Sequence, residues 1–289
     1  IRSVELDAHN RRSQAMRLNQ RGLFAWAERE YRRALELSAE RLDTTIRLEF
    51  AEFYWLGSQN AEAAALLAES VEKLAADEQG ALREALQQSK RTPQSIQQLF
   101  RETQNRKIRG AFHFYEGLAK IDSGDDTSAY DSLTKALQEQ PDNPDVLIAM
   151  RKTLESSDSR KFYDEAFNNM RGRFRRLVVR AEEGLARAQD REQRRRLEYD
   201  LAQSCNQLAW LLGKCESDPQ EAIQLSERSL EIMPDEPAFL DTLGRCYFSA
   251  GRIEDAIRIQ REAVELAPYE RLMLAQLREF ELAKASPEN

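Results

Sequence analysis

The sequence contains few of the residues that catalysis and metal binding most often need. Of its 289 residues, 2 are histidine and 3 are cysteine. His9 and His113 are far apart in the chain, and neither belongs to an HExxH or CxxC pattern. A glycine-rich phosphate loop and a nucleophile elbow are also missing. We therefore expect a protein that is not an enzyme and that holds no metal and no cofactor.

Long apolar runs are missing as well. No run approaches the roughly 18 residues that a membrane-spanning helix needs. The net charge of −7 argues against a chain that is attracted as a whole to nucleic acid or to membranes. The odd number of cysteines argues against a disulfide framework and favours a reducing compartment, so we expect a cytoplasmic protein. The sequence does not begin with methionine, which indicates a fragment or a processed product. The expectation of a cytoplasmic protein therefore covers only the residues printed.

Charge is what the sequence has in abundance. Charged residues make up 32% of the chain, whereas glycine and proline number only 11 and 8, and runs of β-branched residues are scarce. This composition is typical of an all-helical protein.

A spacing of 34 residues recurs near the C-terminus. Ala222 and Pro234 are repeated as Ala256 and Pro268. The unit that starts at Pro237 has small, apolar and helix-ending residues at regular positions: Leu240, Leu243, Gly244, Tyr247, Gly251, Ala256, Ala263 and Pro268. This pattern resembles the tetratricopeptide repeat, a helix–turn–helix unit. The resemblance implies an all-α fold, a right-handed α-solenoid of stacked repeats that binds other molecules on its surface.

The same pattern extends towards the N-terminus with decreasing clarity. Residues 110–143 keep Gly117, Gly124, Ala129, Ala136 and Pro141. Gly124 and the aspartates around it predict a turn between two helices. Units at 8–41 and 45–78 are weaker, and 144–190 predicts a divergent hairpin with a long second helix over 161–189. A capping helix is predicted at 269–284, because its apolar residues suffice to cover the last hairpin: Leu272, Leu274, Leu277, Phe280 and Leu282.

These units predict five segments. An N-terminal repeat pair occupies 1–78, and an extra helical insert occupies 79–109, where Thr92 and Pro93 form a good helix start. The third repeat and the long-helix hairpin follow at 110–202. The C-terminal repeat pair occupies 203–270, and the capping helix and tail occupy 271–289.

The family binds partners in the concave groove that is lined by the first helix of each repeat. Carrying over its groove positions (2, 5, 6, 9, 12 and 13) gives an apolar, aromatic centre, and the predicted partner-binding residues are Phe50, Phe53, Phe114, Tyr115 and Leu118. We therefore expect a non-catalytic scaffold that binds a peptide or helix of another protein. An equally favoured alternative to an external partner is that the chain's own residues 92–107 fill the groove, through Ile96, Leu99 and Phe100. Self-association of the array is a further alternative.

An arginine-rich segment at 171–196 is the main rival site. Nucleic acid or an acidic partner could bind there, through Arg171, Arg173, Arg175, Arg176 and Arg180. Acidic residues are interleaved at spacings of three and four, however, which on a helix form solvated ion pairs. Few aromatic residues are present to stack on bases. A solvated face is the favoured interpretation, and nucleic acid is an unlikely partner.

Overall fold

The computed structural model describes residues 2–38, 40–88 and 96–285, and the side chains of 6–38, 43–76 and 102–285. Within these residues the secondary structure is entirely helical, so the predicted all-α fold is confirmed. The chain divides into two compact units, unit 1 at Ile1–Ser156 and unit 2 at Ser157–Asn289. The boundary between them lies inside the predicted segment 110–202, and the five-segment division stays a prediction.

Unit 1 consists of helices that pack in consecutive pairs. The first pair is α1 (Arg2–Gln20) with α2 (Phe24–Leu37), the second is α3 (Glu40–Leu56) with α4 (Asn60–Gln88), and the third is α5 (Ile96–Ser123) with α6 (Asp126–Glu139). The short helix α7 (Pro144–Met150) and a 3₁₀ turn (Arg151–Thr153) pack on α6. The first helices also touch one another, because α3 contacts both α1 and α5.

Residues 79–109, predicted as an extra insert, belong largely to the repeat helices themselves. Helix α4 continues to Gln88, and α5 begins at Ile96 and runs unbroken to Ser123. Thr92 and Pro93 lie outside the described residues, as do the side chains of Ile96, Leu99 and Phe100.

Unit 2 begins with α8 (Ser157–Arg187), which confirms the predicted long helix. Helices α9 (Arg191–Lys214) and α10 (Pro219–Ile232) form one pair, and α11 (Pro237–Ser249) and α12 (Ile253–Leu266) form the next. Small residues let the helices of a pair approach closely, as predicted. A Cβ atom added at Gly244 would lie 2.6 Å from Gln260 Oε1, and one added at Gly117 in unit 1 would lie 2.7 Å from Leu133.

The last helix, α13 (Arg271–Ala285), packs on α11 and α12, as the predicted capping helix should. Its Phe280 is fully buried and stacks on Phe248 with ring centroids 4.5 Å apart. Leu272 and Leu282, which were also expected to cover the hairpin, are exposed. Apolar burial alone therefore does not account for how α13 is attached.

A buried polar network completes the attachment of α13. Arg245 on α11 donates from Nε to Gln276 Oε1 at 2.8 Å, and its guanidinium forms an ion pair with Glu279. Gln276 Nε2 in turn donates to Asp241 Oδ1 at 3.0 Å, and Gln260 Nε2 donates to the same oxygen at 2.6 Å. Burial raises the pKa of Asp241. The network links α11, α12 and α13 through groups that are costly to separate, because each would be left unpaired.

Tight turns of one kind end the first helix of each pair in unit 1. Gly22, Ser58 and Gly124 have positive φ angles of 71°, 58° and 79°. In each case the next amide donates to a carbonyl five residues earlier, for example Asp125 N to Lys120 O at 2.9 Å and Gln59 N to Tyr54 O at 2.9 Å. This is the Schellman arrangement, which usually places glycine in the left-handed conformation. Asp125 then caps α6 by accepting from Ser128 N, so the turn predicted there is confirmed.

These turns show that the second repeat begins one residue earlier than predicted. Gly22 and Gly124 are the fifteenth residues of units that start at Ala8 and Gly110, and the equivalent Ser58 counts back to Thr44. The predicted start, at about Thr45, is therefore one residue late. The sequence fits either register, because Ala63 and Ala64 are adjacent and so are Tyr54 and Trp55. The left-handed position of the turn holds Ser58, where a glycine would have marked it in the sequence.

Candidate binding face of unit 1

The corrected register changes which side chains of α3 are accessible. Counted from Thr44, the groove positions of this helix hold Thr45, Leu48, Glu49, Glu52, Trp55 and Leu56, and all of them are exposed or half-buried. We call the surface formed by these residues and by the corresponding positions of α1, α5 and α7 the first-helix face. Trp55 is its largest side chain on α3. Sequence reasoning missed Trp55, because the earlier register placed it at a packing position.

Phe50 and Phe53 belong to the core behind this face. They are 1% and 3% exposed. Phe50 stacks between Tyr31 and Tyr54, with centroid distances of 5.2 and 4.6 Å, and Phe53 lies 5.7 Å from Tyr31. The structure gives both phenylalanines a packing role between α2 and α3. Contact of either one with a partner stays a prediction.

Three predicted contact residues lie together on α5, beside Trp55. The Trp55 ring is 5.8 Å from that of Phe114 and 6.2 Å from that of Tyr115, centroid to centroid. Phe114 and Tyr115 are themselves mostly buried, whereas Leu118, one turn further along α5, is half-buried. An apolar strip of Trp55, Phe114, Tyr115 and Leu118 thus crosses from α3 to α5.

Acidic groups lie near Tyr115 and at the end of α5. Burial raises the pKa of Tyr115, and the negative charges of Glu52 on α3 and Asp145 on α7 raise it further. Asp122, at the end of α5, accepts from Asn60 Nδ2 at 2.8 Å. Glu52 and Asp145 therefore make the surroundings of Tyr115 electronegative.

An ion pair joins α1 to α3 on the same face. Arg12 Nε donates to Glu49 Oε2 at 2.7 Å, and the second guanidinium nitrogen contacts Oε1. The hydrogen bond that Arg12 donates to Glu49 raises the pKa of Arg12. Because the pair is bidentate and partly buried, it fixes the spacing of α1 and α3 better than an exposed pair would.

The cluster of unit 1 that most resembles a catalytic site consists of Lys120, Ser132 and Glu116, whose polar groups bond to one another. Lys120 Nζ donates to Ser132 Oγ at 2.8 Å, and that hydroxyl donates to Glu116 Oε2 at 2.8 Å. Burial opposes ionisation of Glu116, but hydrogen bonds from Ser132 and Lys120 outweigh it and lower its pKa. Ser132 is buried, and the Lys120 ammonium also pairs with Glu116, at 3.2 Å. The cluster therefore clamps α5 to α6 and offers no accessible nucleophile.

Two of the three cysteines are held as thiols by burial. Burial raises the pKa of the Cys205 thiol to about 11 and that of Cys246 to about 12, so neither is a thiolate at neutral pH. No group of three or more metal-ligating side chains occurs in the part of the chain that the structure describes. In the same residues, no helix is both long and apolar enough to cross a bilayer.

Part of the arginine-rich segment is neutralised by ion pairs in unit 2. Arg175 forms a bidentate pair with Glu221 on α10, and Arg171 donates to Asn168 Oδ1 at 2.8 Å. The expected pairs at a spacing of four form as well, joining Arg187 to Glu183, Arg194 to Glu198 and Arg196 to Glu192. Arg173, Arg176 and Arg180 are exposed on α8.

Sequence comparison identifies the repeats. Residues 216–276 match the profile of the family described as tetratricopeptide repeat. These residues are tetratricopeptide repeats. The match spans α10 to α12 and the start of α13, where the 34-residue spacing is clearest. Tetratricopeptide repeats are commonly protein–protein interaction modules, and no catalytic family is evident.

Several solved structures are similar to this chain at low sequence identity. One is a tetratricopeptide repeat protein from Parabacteroides merdae, 10% identical over 96% of this chain and 99% of that chain, with a TM-score of 0.37. Another is the TPR2AB domain of yeast Sti1 in its pHSP90 complex, 14% identical over 95% of this chain and 98% of that one, with a TM-score of 0.32. A third is YrrB, a TPR protein with an unusual peptide-binding site, 14% identical over 85% and 96%, with a TM-score of 0.30. The comparison with curated proteins found no match.

Proposed function

We propose that this chain is a non-catalytic binding module that takes a peptide or helical segment of a partner protein on the first-helix face of unit 1. The observation that carries the proposal is the contact of Trp55 on α3 with Phe114 and Tyr115 on α5. Partly accessible aromatic rings supported by a rigid core are the usual anchors of protein interfaces. Here the support is the stack of Tyr31, Phe50 and Tyr54 behind α3.

Trp55 and the five predicted contact residues have three roles in this proposal. Trp55 and Leu118 provide the surface that a partner touches, and Phe114 and Tyr115 form the floor beneath it. Phe50 and Phe53 hold α3 in place from behind. The Arg12–Glu49 pair fixes the neighbouring helix, so that little ordering is left for the moment of binding.

The contacts of residues 102–107 lend less support to a groove filled by the chain itself. Arg106 donates to Gln138 O at 3.1 Å and pairs with Glu139, and Lys107 O accepts from Gln140 Nε2 at 3.0 Å. These contacts are with the C-terminal end of α6 and its cap, on the second helix of the pair. An external ligand therefore remains the better-supported occupant of the first-helix face.

Affinity capture with two tryptophan variants tests the proposal. Trp55→Ala should lose the partners that the unaltered chain captures, whereas Trp26→Ala should keep them. Trp26 is a fitting control because it is 57% exposed and lies on α2, a second helix. The capture is washed at rising salt and repeated with nuclease, since an apolar contact should survive both.

Loss of the same partners from both variants, or from neither, would overturn the proposal. Circular dichroism of each variant confirms that the helical content is unchanged. Partners that vanish with nuclease alone would indicate nucleic-acid binding instead.

A further inference from the structure

A second surface opens in unit 2, between α8 and α9. The groove has a volume of about 420 Å³, and its apolar lining includes Leu177 and Ala181 of α8 and Leu197 of α9. The two helices are close at one end, where a Cβ atom added at Gly184 would lie 3.0 Å from Leu197. Further along, small side chains such as Ala181 and Ser204 line the gap and leave it unfilled.

Tyr199 forms one edge of this groove. Its side chain lines the groove and is half exposed to solvent. Its hydroxyl oxygen accepts from Gln203 Nε2 at 3.2 Å, one turn along α9. An exposed tyrosine beside an apolar gap, with its ring oriented by a hydrogen bond, is typical of contact surfaces.

The charge around the groove is mainly positive. Arg180 lines it, and Arg176 and Arg173 follow on the same face of α8 at spacings of four and three. Among the described residues, Arg176 and Arg180 have no ion-pair partner, whereas other arginines of the segment are paired with glutamates. Asp200 is the one acidic residue in the described lining. Arg180 at the groove and Arg176 one turn away therefore supply positive charge that no ion pair of the described residues neutralises.

We propose that the α8–α9 groove binds an acidic segment of a partner protein by taking an apolar side chain between the helices while Arg176 and Arg180 pair with flanking carboxylates. A short acidic peptide fits better than nucleic acid, because the segment's ion pairs with glutamates interrupt any continuous track for phosphates. The proposal stands on unit 2 alone and does not rest on the function proposed for unit 1.

Panning the full chain against a random peptide library of about twelve residues tests this binding. We expect enrichment of peptides in which Asp or Glu flanks Leu, Ile or Phe. One enriched peptide is then synthesised with a fluorescent label. Arg176→Glu combined with Arg180→Glu should weaken its binding at least about tenfold, because attraction to two carboxylates becomes repulsion.

Matched variants separate this groove from other sites. Arg187→Glu combined with Arg196→Glu changes the net charge equally at exposed, paired positions of the same segment, and should leave the peptide's affinity unchanged. Trp55→Ala, in unit 1, should also leave it unchanged. Equal weakening by both charge variants, loss with Trp55→Ala, or no acidic enrichment would overturn the proposal. So would displacement of the peptide by a single-stranded oligonucleotide with a steep dependence on salt.

Discussion

Alanine replacement of Phe53 and of Trp55 should affect unit 1 very differently, although the two residues are neighbours on α3. Phe53 is surrounded by aromatic rings, at 5.7 Å from Tyr31, 6.1 Å from Phe50 and 5.9 Å from Tyr54. These rings are anchored on two helices and cannot collapse freely into a gap. Removing a buried phenylalanine ring costs about 3–5 kcal/mol under such conditions.

Trp55 is less deeply buried than Phe53. Its ring contacts Phe114 and Tyr115 of α5, and the residue is half-buried. Since Trp55 is half-buried and not enclosed, Trp55→Ala should cost less than Phe53→Ala, about 2–3 kcal/mol. It should nevertheless abolish partner binding, which Phe53→Ala would impair only by loosening the fold.

Urea unfolding combined with hydrogen exchange measures this difference. The free energy of unfolding is read from exchange of the α2 and α3 amides, because the two units need not unfold together. Amides of α10 to α12 in unit 2 serve as an internal control and should not change. If Trp55→Ala cost as much as Phe53→Ala, the register that begins at Thr44 would be wrong.

Three further outcomes follow from the structure. Ser58→Gly should raise the free energy of unfolding of unit 1 by about 0.5–1 kcal/mol, because glycine tolerates the left-handed turn, and urea unfolding measures it. Burial raises the pKa of Asp241, so its ionisation destabilises the fold as pH rises from the ordinary aspartate range through the raised value. Asp241→Asn should remove that loss, and unchanged pH dependence of α13 amide exchange would contradict it. Arg245→Met should release α13 at a cost of about 2–3 kcal/mol. Arg261→Met, which removes only an exposed pair, should cost below about 1 kcal/mol in the same exchange measurement.

The last two repeats could be predicted from the sequence because their packing is local and requires particular residue types at fixed positions. Gly244 must be small, since Gln260 of the partner helix occupies the space beside it. Gly251 takes a positive φ angle of 75° at the turn. Both requirements recur at a constant spacing, and neither depends on distant parts of the chain.

The register of the second repeat could not be predicted, because its sequence fits two registers. Ser58 occupies a position where glycine would have marked the turn, and Tyr54 and Trp55 compete for one packing position. Only three-dimensional contacts distinguish them. Tyr54 stacks on Phe50 at 4.6 Å, whereas Trp55 meets α5.

Contacts between residues distant in sequence were beyond prediction. Ion pairs at a spacing of four, such as Arg194 with Glu198, follow from helix geometry alone. The pairing of Arg12 with Glu49, or of Arg175 with Glu221, depends on how whole helices are placed. The α8–α9 groove has the same origin, since it lies between two helices whose approach no single segment specifies.

The most direct test of the central claim is photocrosslinking from the first-helix face. A benzophenone-bearing residue is placed at Leu118 in the full chain, and in a second sample at Trp26. Irradiation in lysate should give protein adducts from position 118, and these adducts should disappear when Trp55→Ala is added. Adducts from position 26 alone, or adducts from position 118 that persist without Trp55, would contradict a partner site on this face.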